Sequence, residues 1–300
     1  MDAGDLRVFA AVARLGGMNR AAAALNTVQS NVTARVRLLE AALGTPLFHR
    51  HSRGATLTSA GRRLLPYADR VAHLLAEARH AVVDDGTPRG SLTLGSLETT
   101  AGLRLPPLLA SYAADYPEVD LVLKTGTTCE LVDEVVARRL DGAFVCGPVD
   151  HPELAGEVVF SEELVVVTAP VVRDLDGLTE RGKLKVIVFR AGCSYRDRLD
   201  AVLASRGVVG VRRLDFGSIE GILGCVAAGV GISLLPRSVV ESAWREKRII
   251  IHELPPAEAR VDTIFVRPRD AFVSSALAAF LERARPALAV PRLSRADAAQ

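Results

Sequence analysis

Hydrophobic residues recur at helical spacing through residues 1–83 and fall into short runs bounded by turn residues beyond residue 90. After Asp5, the positions Leu6, Phe9, Val12 and Ala13 mark one face of a first helix, which Gly16-Gly17 stops. Asn19 is placed to cap a second helix, Arg20 to Leu25, whose alanines at 21–24 let a neighbouring helix approach closely. Asn26-Thr27-Val28 then turns the chain. In a third helix Val32, Val36, Leu39 and Leu43 stand at i, i+4, i+7 and i+11, an apolar stripe facing the other two helices, and Gly44 ends it. The opposite face carries Ser30, Thr33, Ala34 and Arg37, flanked by Asn31 and Arg35. It is short-chained and polar near its start and cationic further along.

The stretch "PLFHRHSRGATLTSAG", Pro46 to Gly61, holds two extended pieces around Ser52-Arg53-Gly54 and reads as a small hairpin, or wing. Thr58 suits the N-cap of a long helix in which Leu64, Leu65, Ala68, Val71, Ala72, Leu75, Ala78 and Val82 form a narrow seam, with Pro66 near its first turns as a point of kinking. Such a seam has no obvious intrachain partner, so a second copy of the chain is the economical one. "DDGTPRG", Asp84 to Gly90, breaks that helix and marks a domain boundary. Beyond it "SLTLGS" (91–96), "VDLVLKTG" (119–126), "GAFVCG" (142–147), "ELVVVTAP" (163–170), "KVIVFRAG" (185–192), "GISLLP" (231–236) and "DTIFVRP" (262–268) are strand-like, with helical stretches between several of them. That alternation predicts a mostly parallel sheet covered by helices, as one large α/β unit or as two lobes. Residues 291–300 read as a loose tail.

The 300 residues are 49% hydrophobic and 24% charged, which excludes disorder as the main state and allows two or three domain-sized units. A net charge of +2 hides a division. Residues 1–65 hold nine Arg against Asp2, Asp5 and Glu40, a balance of +6, which leaves about −4 for the remainder. Positive potential therefore sits where an anionic polymer can use it. Cys129, Cys146, Cys193 and Cys225 lie far apart without a C-x-x-C pair and read as reduced thiols. No basic segment precedes an apolar one at the N-terminus, and no apolar run approaches the ~18 residues of a membrane span. A cytoplasmic chain with no membrane partner is expected.

Two helices, a turn and a third helix with a polar outer face match the helix-turn-helix arrangement, whose last helix enters the DNA major groove. Gln, Asn, Ser and Thr read the donors and acceptors of base edges, Arg pairs with guanine, and backbone N–H groups with nearby arginines hold phosphates. The candidate contacts to double-stranded DNA are Asn19, Arg20, Gln29, Ser30, Asn31, Thr33, Arg35 and Arg37, with Arg50 and Arg53 on the wing.

The segment "FAAVARLGGMNRAAAALNTVQSNVTARVRLLEAALGTPLFHRHSRGATLTSAGRRLL", Phe9 through Leu65, resembles the winged helix-turn-helix of LysR-type transcriptional regulators. The resemblance rests on a "FxxVAxxGxxxxAAxxL" opening, a Gln heading the third helix, "LExxLGxPLFxR" and "LTxAG", in that order. It implies a winged helix-turn-helix over residues 1–57 and a linker and dimerisation helix with hinge over 58–90. A two-lobed effector-binding domain resembling periplasmic binding proteins follows over 91–290. Lobe I then covers about 91–163 and 267–290, lobe II about 164–266, and 291–300 is the tail. Homodimers or homotetramers are implied, and "RRLDGAFVCGP" and "AAGVGISLLP" resemble the family's lobe-spanning segments. Where the family often has Ser, Pro and Ser-Arg, this chain has Val28, Ser30 and Thr33-Ala34, which leaves Arg35 or Arg37 to supply the contact of the missing arginine.

In two α/β lobes a ligand sits at the carboxyl ends of strands, near helix starts. Ser96, Glu98, Thr99 and Thr100 follow the first strand and Thr127 and Thr128 the second. Cys193, Ser194, Tyr195 and Arg196 follow "VIVFRAG", and Ser218 precedes "IEGILGCVAAG". The hydroxyls suit a small carboxylate-bearing effector with Arg196 as charge partner, while each is equally suited to capping its helix. Glu98 in the cleft argues against a simple dianion and suits an amine equally well. No G-x-S-x-G, P-loop, H-E-x-x-H or metal-type Cys/His spacing occurs, so no catalysis, metal or cofactor is expected. Two alternatives are a thiol-sensing regulator using Cys193, at a helix start near Arg196, and a solute-binding protein, against which the basic N-terminal module argues.

Overall fold

In the computed structural model, which describes residues 1–51, 54–172, 184–190, 192–208 and 210–288, the first helix α1 (Ala3–Leu15) starts in a capping box. The Asp5 N–H donates to the Asp2 carboxylate at 2.8 Å and the Asp2 N–H to the Asp5 carboxylate at 3.1 Å. Helix α2 (Met18–Ala24) begins before the expected Asn19 cap: extended Gly17 is its N-cap, and Asn19 lies inside the helix, exposed. Helix α3 (Gln29–Leu43) buries Val32, Val36 and Leu39 against Phe9, Val12, Ala21 and Ala22. Leu43, at its last residue, is 38% exposed, so the stripe is one residue shorter than its spacing suggests.

The wing pairs β1 (Phe48–His51) with β2 (Gly54–Leu57) in antiparallel register, Phe48 opposite Leu57. Ser52, Arg53 and the tail from residue 291 lie outside the described residues. Glu40 of α3 ties the wing down, accepting from the N–H groups of Leu47 and Phe48 at 2.8 and 3.2 Å and pairing with Arg50 at 2.8 Å. The Phe9 and Phe48 rings tilt together at 5.3 Å. Thr58 caps α4 (Ser59–Val83), accepting from the Gly61 N–H at 3.0 Å, and the helix runs on through Pro66. Its first half has an intrachain partner after all: Ala68 is buried, Leu64, Leu65 and Val71 pack on the same core, and Asp69 pairs with Arg14 of α1 at 2.7 Å. The seam is exposed only from Ala72 onward. These elements lie in one unit, Met1–Asp85 with Ala137–Arg139, and the rest of the chain forms a second.

The second unit is built on a seven-stranded sheet in the order β10 (Ile250–His252), β6 (Leu154–Thr168), β11 (Arg260–Pro268), β5 (Gly142–Cys146), β3 (Gly90–Ser96) and β4 (Val119–Thr125), with β9 (Ser233–Pro236) also on β6. Strand β3 (Gly90–Ser96) runs parallel to β4 (Val119–Thr125) and β5 (Gly142–Cys146). Every pairing of the long β6 (Leu154–Thr168) and of β11 (Arg260–Pro268) is antiparallel, so the sheet is mixed, where alternation of strands and helices predicts a mostly parallel one. The burial of β6 changes along its length. Leu154–Glu163, paired with β11, alternates, whereas Leu164–Thr168 is buried throughout and pairs with β9 (Ser233–Pro236) and β10 (Ile250–His252). Two lobes therefore share β6, and the chain returns to the first sheet at Arg260, ahead of residue 267.

Lobe I packs α5 (Glu98–Leu103), α6 (Leu105–Asp115), α7 (Thr128–Val136) and α12 (Ser275–Leu288) on β3–β5. Phe144, Phe265, Phe280 and Tyr112 fill its core, and the Tyr112 hydroxyl donates to the Ala276 carbonyl at 2.8 Å. Lobe II carries the parallel pair β7 (Lys185–Phe189) and β8 (Arg212–Phe216). Around them lie α8 (Ser194–Ser205), α9 (Ile219–Ala227) and α10 (Arg237–Arg245), and the short α11 (Pro256–Ala259) leads back to β11.

Gly54 joins the wing to α1. Its φ is +139° and an added Cβ would stand 2.2 Å from the Gly16 carbonyl oxygen, the same oxygen that accepts from the Ala55 N–H at 2.9 Å. Gly44, the left-handed C-cap of α3, has a φ of +65° and nothing within 4 Å. Gly44→Ala should cost about 1–2 kcal/mol for the left-handed backbone alone, and Gly54→Ala distinctly more. Urea unfolding of the two variants checks this; equal losses would show that the wing yields without resistance.

Candidate functional site

The buried Val32, Val36 and Leu39 fix the rotation of α3, and that rotation turns Gln29, Ser30, Asn31 and Arg37 outward. Val28, extended, is the N-cap and offers no side-chain cap, so none of the polar residues is needed to terminate the helix. Their side-chain hydrogen bonds are local and exposed: Gln29 Nε2 donates to Thr33 Oγ1 at 3.2 Å and Asn31 Nδ2 to Thr27 Oγ1 at 3.0 Å. The arginines divide. Arg35 turns back to Asp5 at 3.2 Å and Arg50 holds Glu40, while Arg20 donates to the Gly16 carbonyl at 3.0 Å. Arg37 is exposed with no ion pair among the described residues, and Asn19 is exposed on α2. The base-edge candidates share one surface, whereas Arg35 and Arg50 also serve the fold.

In the second unit a cavity of about 50 Å³ lies where four strands end. From lobe I, Glu98, Thr99, Thr127 and Glu130 line it, after β3 and β4. From lobe II come Arg190, Cys193 and Tyr195, with Phe189 and Phe216 at the ends of β7 and β8. This is the position a ligand takes in open α/β sheets. Thr127 is at once a wall and a cap: it and Glu130 form a capping box on α7, the Thr127 N–H and Oγ1 donating to Glu130 Oε2 at 2.9 and 3.1 Å. Those bonds hold the Glu130 carboxyl below the usual carboxylate range.

The other predicted ligand residues stand elsewhere. Ser96 is buried and donates to the Leu97 carbonyl at 3.1 Å, and Thr100 is buried away from the cavity lining. Thr128 and Ser194 bond each other across the lobes at 3.3 Å, Thr128 also accepting from the Cys146 N–H. Ser218 caps α9 through the Gly221 N–H. Arg196 pairs with Asp215 at 3.5 Å, so the cationic wall residue is Arg190, which the sequence reading passed over although it sits just beyond a strand end. Glu162 was missed as well. Buried on β6, it meets Arg104 of lobe I at 3.4 Å and Ser238 of lobe II at 3.3 Å; burial raises its pKa against the pull of Arg104. At the cavity floor Thr99 Oγ1 and Tyr195 Oη lie 3.5 Å apart, again one from each lobe.

Sequence comparison agrees with this division of the chain. The model of the family described as "Bacterial regulatory helix-turn-helix protein, lysR family" matches residues 3–62, and that of "LysR substrate binding domain" matches residues 85–289. The chain is similar to the HTH-type transcriptional regulator GltR of Bacillus subtilis, 43% identical over 290 residues, or 96% of this chain and 97% of that one. It is also similar to the uncharacterized HTH-type transcriptional regulator YusT of Bacillus subtilis, 46% identical over 286 residues, with 95% and 96% covered. The fold resembles full-length CbnR complexed with its target DNA, with a TM-score of 0.63 at 24% identity, over 96% of this chain and 100% of that one. Among the described residues no helix is long and apolar enough to cross a membrane, and no group of His, Cys, Asp and Glu is arranged to hold a metal ion.

The thiols bear on redox sensing. Cys193 receives the Tyr195 and Arg196 N–H groups at the start of α8, which favour a thiolate, yet burial outweighs them and pushes its pKa up; burial does the same to Cys146. Arg196, committed to Asp215, does not reverse this. In the native protein at neutral pH, Cys193 and Cys146 should alkylate with iodoacetamide much more slowly than exposed Cys129, as followed by peptide mass spectrometry. Cys193 reacting first would restore a thiol switch.

Proposed function

Because this chain belongs to the LysR family of bacterial regulatory helix-turn-helix proteins, we propose that α3 docks in the DNA major groove, that chains pair along the exposed half of α4, and that a small carboxylate-bearing effector in the cleft alters the grip on DNA. The chain is a transcriptional regulator with an effector-binding domain, not an enzyme. A DNA partner places its work in the cytoplasm.

One observation carries the DNA reading: an amphipathic helix whose buried stripe leaves an uncapped first turn of amide and hydroxyl side chains facing outward. Gln29, Ser30, Asn31 and Thr33 suit base edges, while the open N–H groups of α3 and the unpaired Arg37 suit phosphates. Arg20, Asn19 and the wing with Arg53 flank that surface in sequence, as phosphate contacts would. CbnR, whose fold is similar, has been solved on its target DNA. Along α4, Leu74 and Leu75 are 45% and 47% exposed and Val82 is 85% exposed, an apolar stripe that a second copy would cover. Two copies would read half-sites spaced by whole helical turns.

For the effector, Arg190 on the cleft wall makes no ion pair among the described residues, and Thr99 and Tyr195 add hydroxyls beside it. In binding titrations on duplex DNA from upstream of the chain's own coding region, Gln29→Ala should lose about 1–3 kcal/mol at particular base pairs. Arg37→Ala should weaken all sequences alike and reduce the salt slope by about 1. The opposite assignment of uniform and base-selective loss would refute the docking. Replacing Leu75 and Val82 together with Glu should shift sedimentation from a dimer or larger species toward the 32.0 kDa protomer; a wild-type chain already sedimenting as a protomer would remove the pairing.

A further inference from the structure

We infer that the effector is a compact zwitterion, an α-amino acid or a molecule of the same charge pattern, whose carboxylate meets Arg190 and whose ammonium meets Glu98. This rests on the carboxylate reading above and adds the second charge and the size. Three charged side chains line the cavity, and they are not equivalent. Glu130 is already bonded to the N–H and hydroxyl of Thr127. Neither Glu98 nor Arg190 has a side-chain hydrogen bond or ion pair at contact distance among the described residues, although Glu130 feels the charge of Arg190, and they come from opposite lobes, Glu98 after β3 and Arg190 after β7.

Two charges of opposite sign, one from each lobe and neither in a contact ion pair among the described residues, select by what they leave unpaired. A dicarboxylate would set one of its anionic ends against Glu98, a diamine would set a cation against Arg190, and a neutral ligand would strip water from both without replacing it. A ligand with one charge of each sign satisfies both walls, and because it touches both lobes it favours the closed arrangement. Volume restricts it further. About 50 Å³ holds three to five water-sized spheres at roughly 10–15 Å³ each, room that suits a small amino acid.

The test uses the full chain and three matched probe sets in thermal-shift and calorimetric titrations: individual L-amino acids, the carboxylic acids lacking their amino group, and the amines lacking their carboxylate. The expected result is that at least one amino acid raises the unfolding temperature and binds about tenfold or more tighter than its deaminated acid. Glu98→Gln should abolish that preference while keeping the acid's own affinity, and Arg190→Gln should weaken both. The unfolding temperature of each ligand-free variant verifies that it is folded. If deaminated acids bind the wild type as well as the amino acids do, or if Glu98→Gln keeps the preference, the zwitterion assignment fails while the carboxylate reading stands. If amines bind and no carboxylate does, or none of the probes binds, both fail.

Discussion

Burying Val32, Val36 and Leu39 sets the orientation of α3, and with it everything the first unit can present outward. Each fully buried aliphatic side chain contributes about 1.5–3 kcal/mol. Turning the helix by one residue, ~100°, would expose that stripe and press Asn31 or Thr33 into the core without partners. The same packing explains the charges that do not face outward. Arg35 reaches Asp5 at the start of α1, and Glu40 is drawn to the backbone N–H groups of the wing with Arg50 beside it. A cationic segment thus uses part of its charge to hold its own fold, and the polar first turn of α3 remains for a ligand.

In the second unit the corresponding constraint is β6. A single strand that alternates over Leu154–Glu163 and is buried throughout Leu164–Thr168 serves two sheets, so the lobes meet across a strand that neither can release. Contacts that cross the lobes gather around it: Glu162 with Arg104 and Ser238, Thr128 with Ser194, and Thr99 with Tyr195. A ligand that contacts both walls of such a cleft can shift the lobes only by its differential affinity for two arrangements of them.

Local signals in the sequence were legible. The glycine stops after α1 and α3, the Thr58 cap and the strand-like run at β5 depend on neighbours a few residues away, and so do the two pieces of the wing. What depended on distant packing was not legible. Gly17 rather than Asn19 caps α2, and Leu43 escapes the core. The first half of α4 finds α1, and the antiparallel returns of β6 and β11 give the sheet its mixed character. In the cleft, the strand-end rule located the right neighbourhood. It did not separate hydroxyls that cap or brace, such as Ser218 and Thr128, from those that face the cavity, such as Thr99. It favoured Arg196, which the fold gives to Asp215, over Arg190. Side-chain identity at a helix start is the same in both roles, and only the tertiary contacts distinguish them.

Hydrogen–deuterium exchange of the full chain, with and without duplex DNA at low salt, addresses the orientation of α3 directly. Slowed exchange centred on the amides of residues 28–37 is the expected result, since the uncapped first turn has open N–H groups for phosphates to cover. DNA that slows exchange elsewhere and leaves this segment unchanged would contradict it.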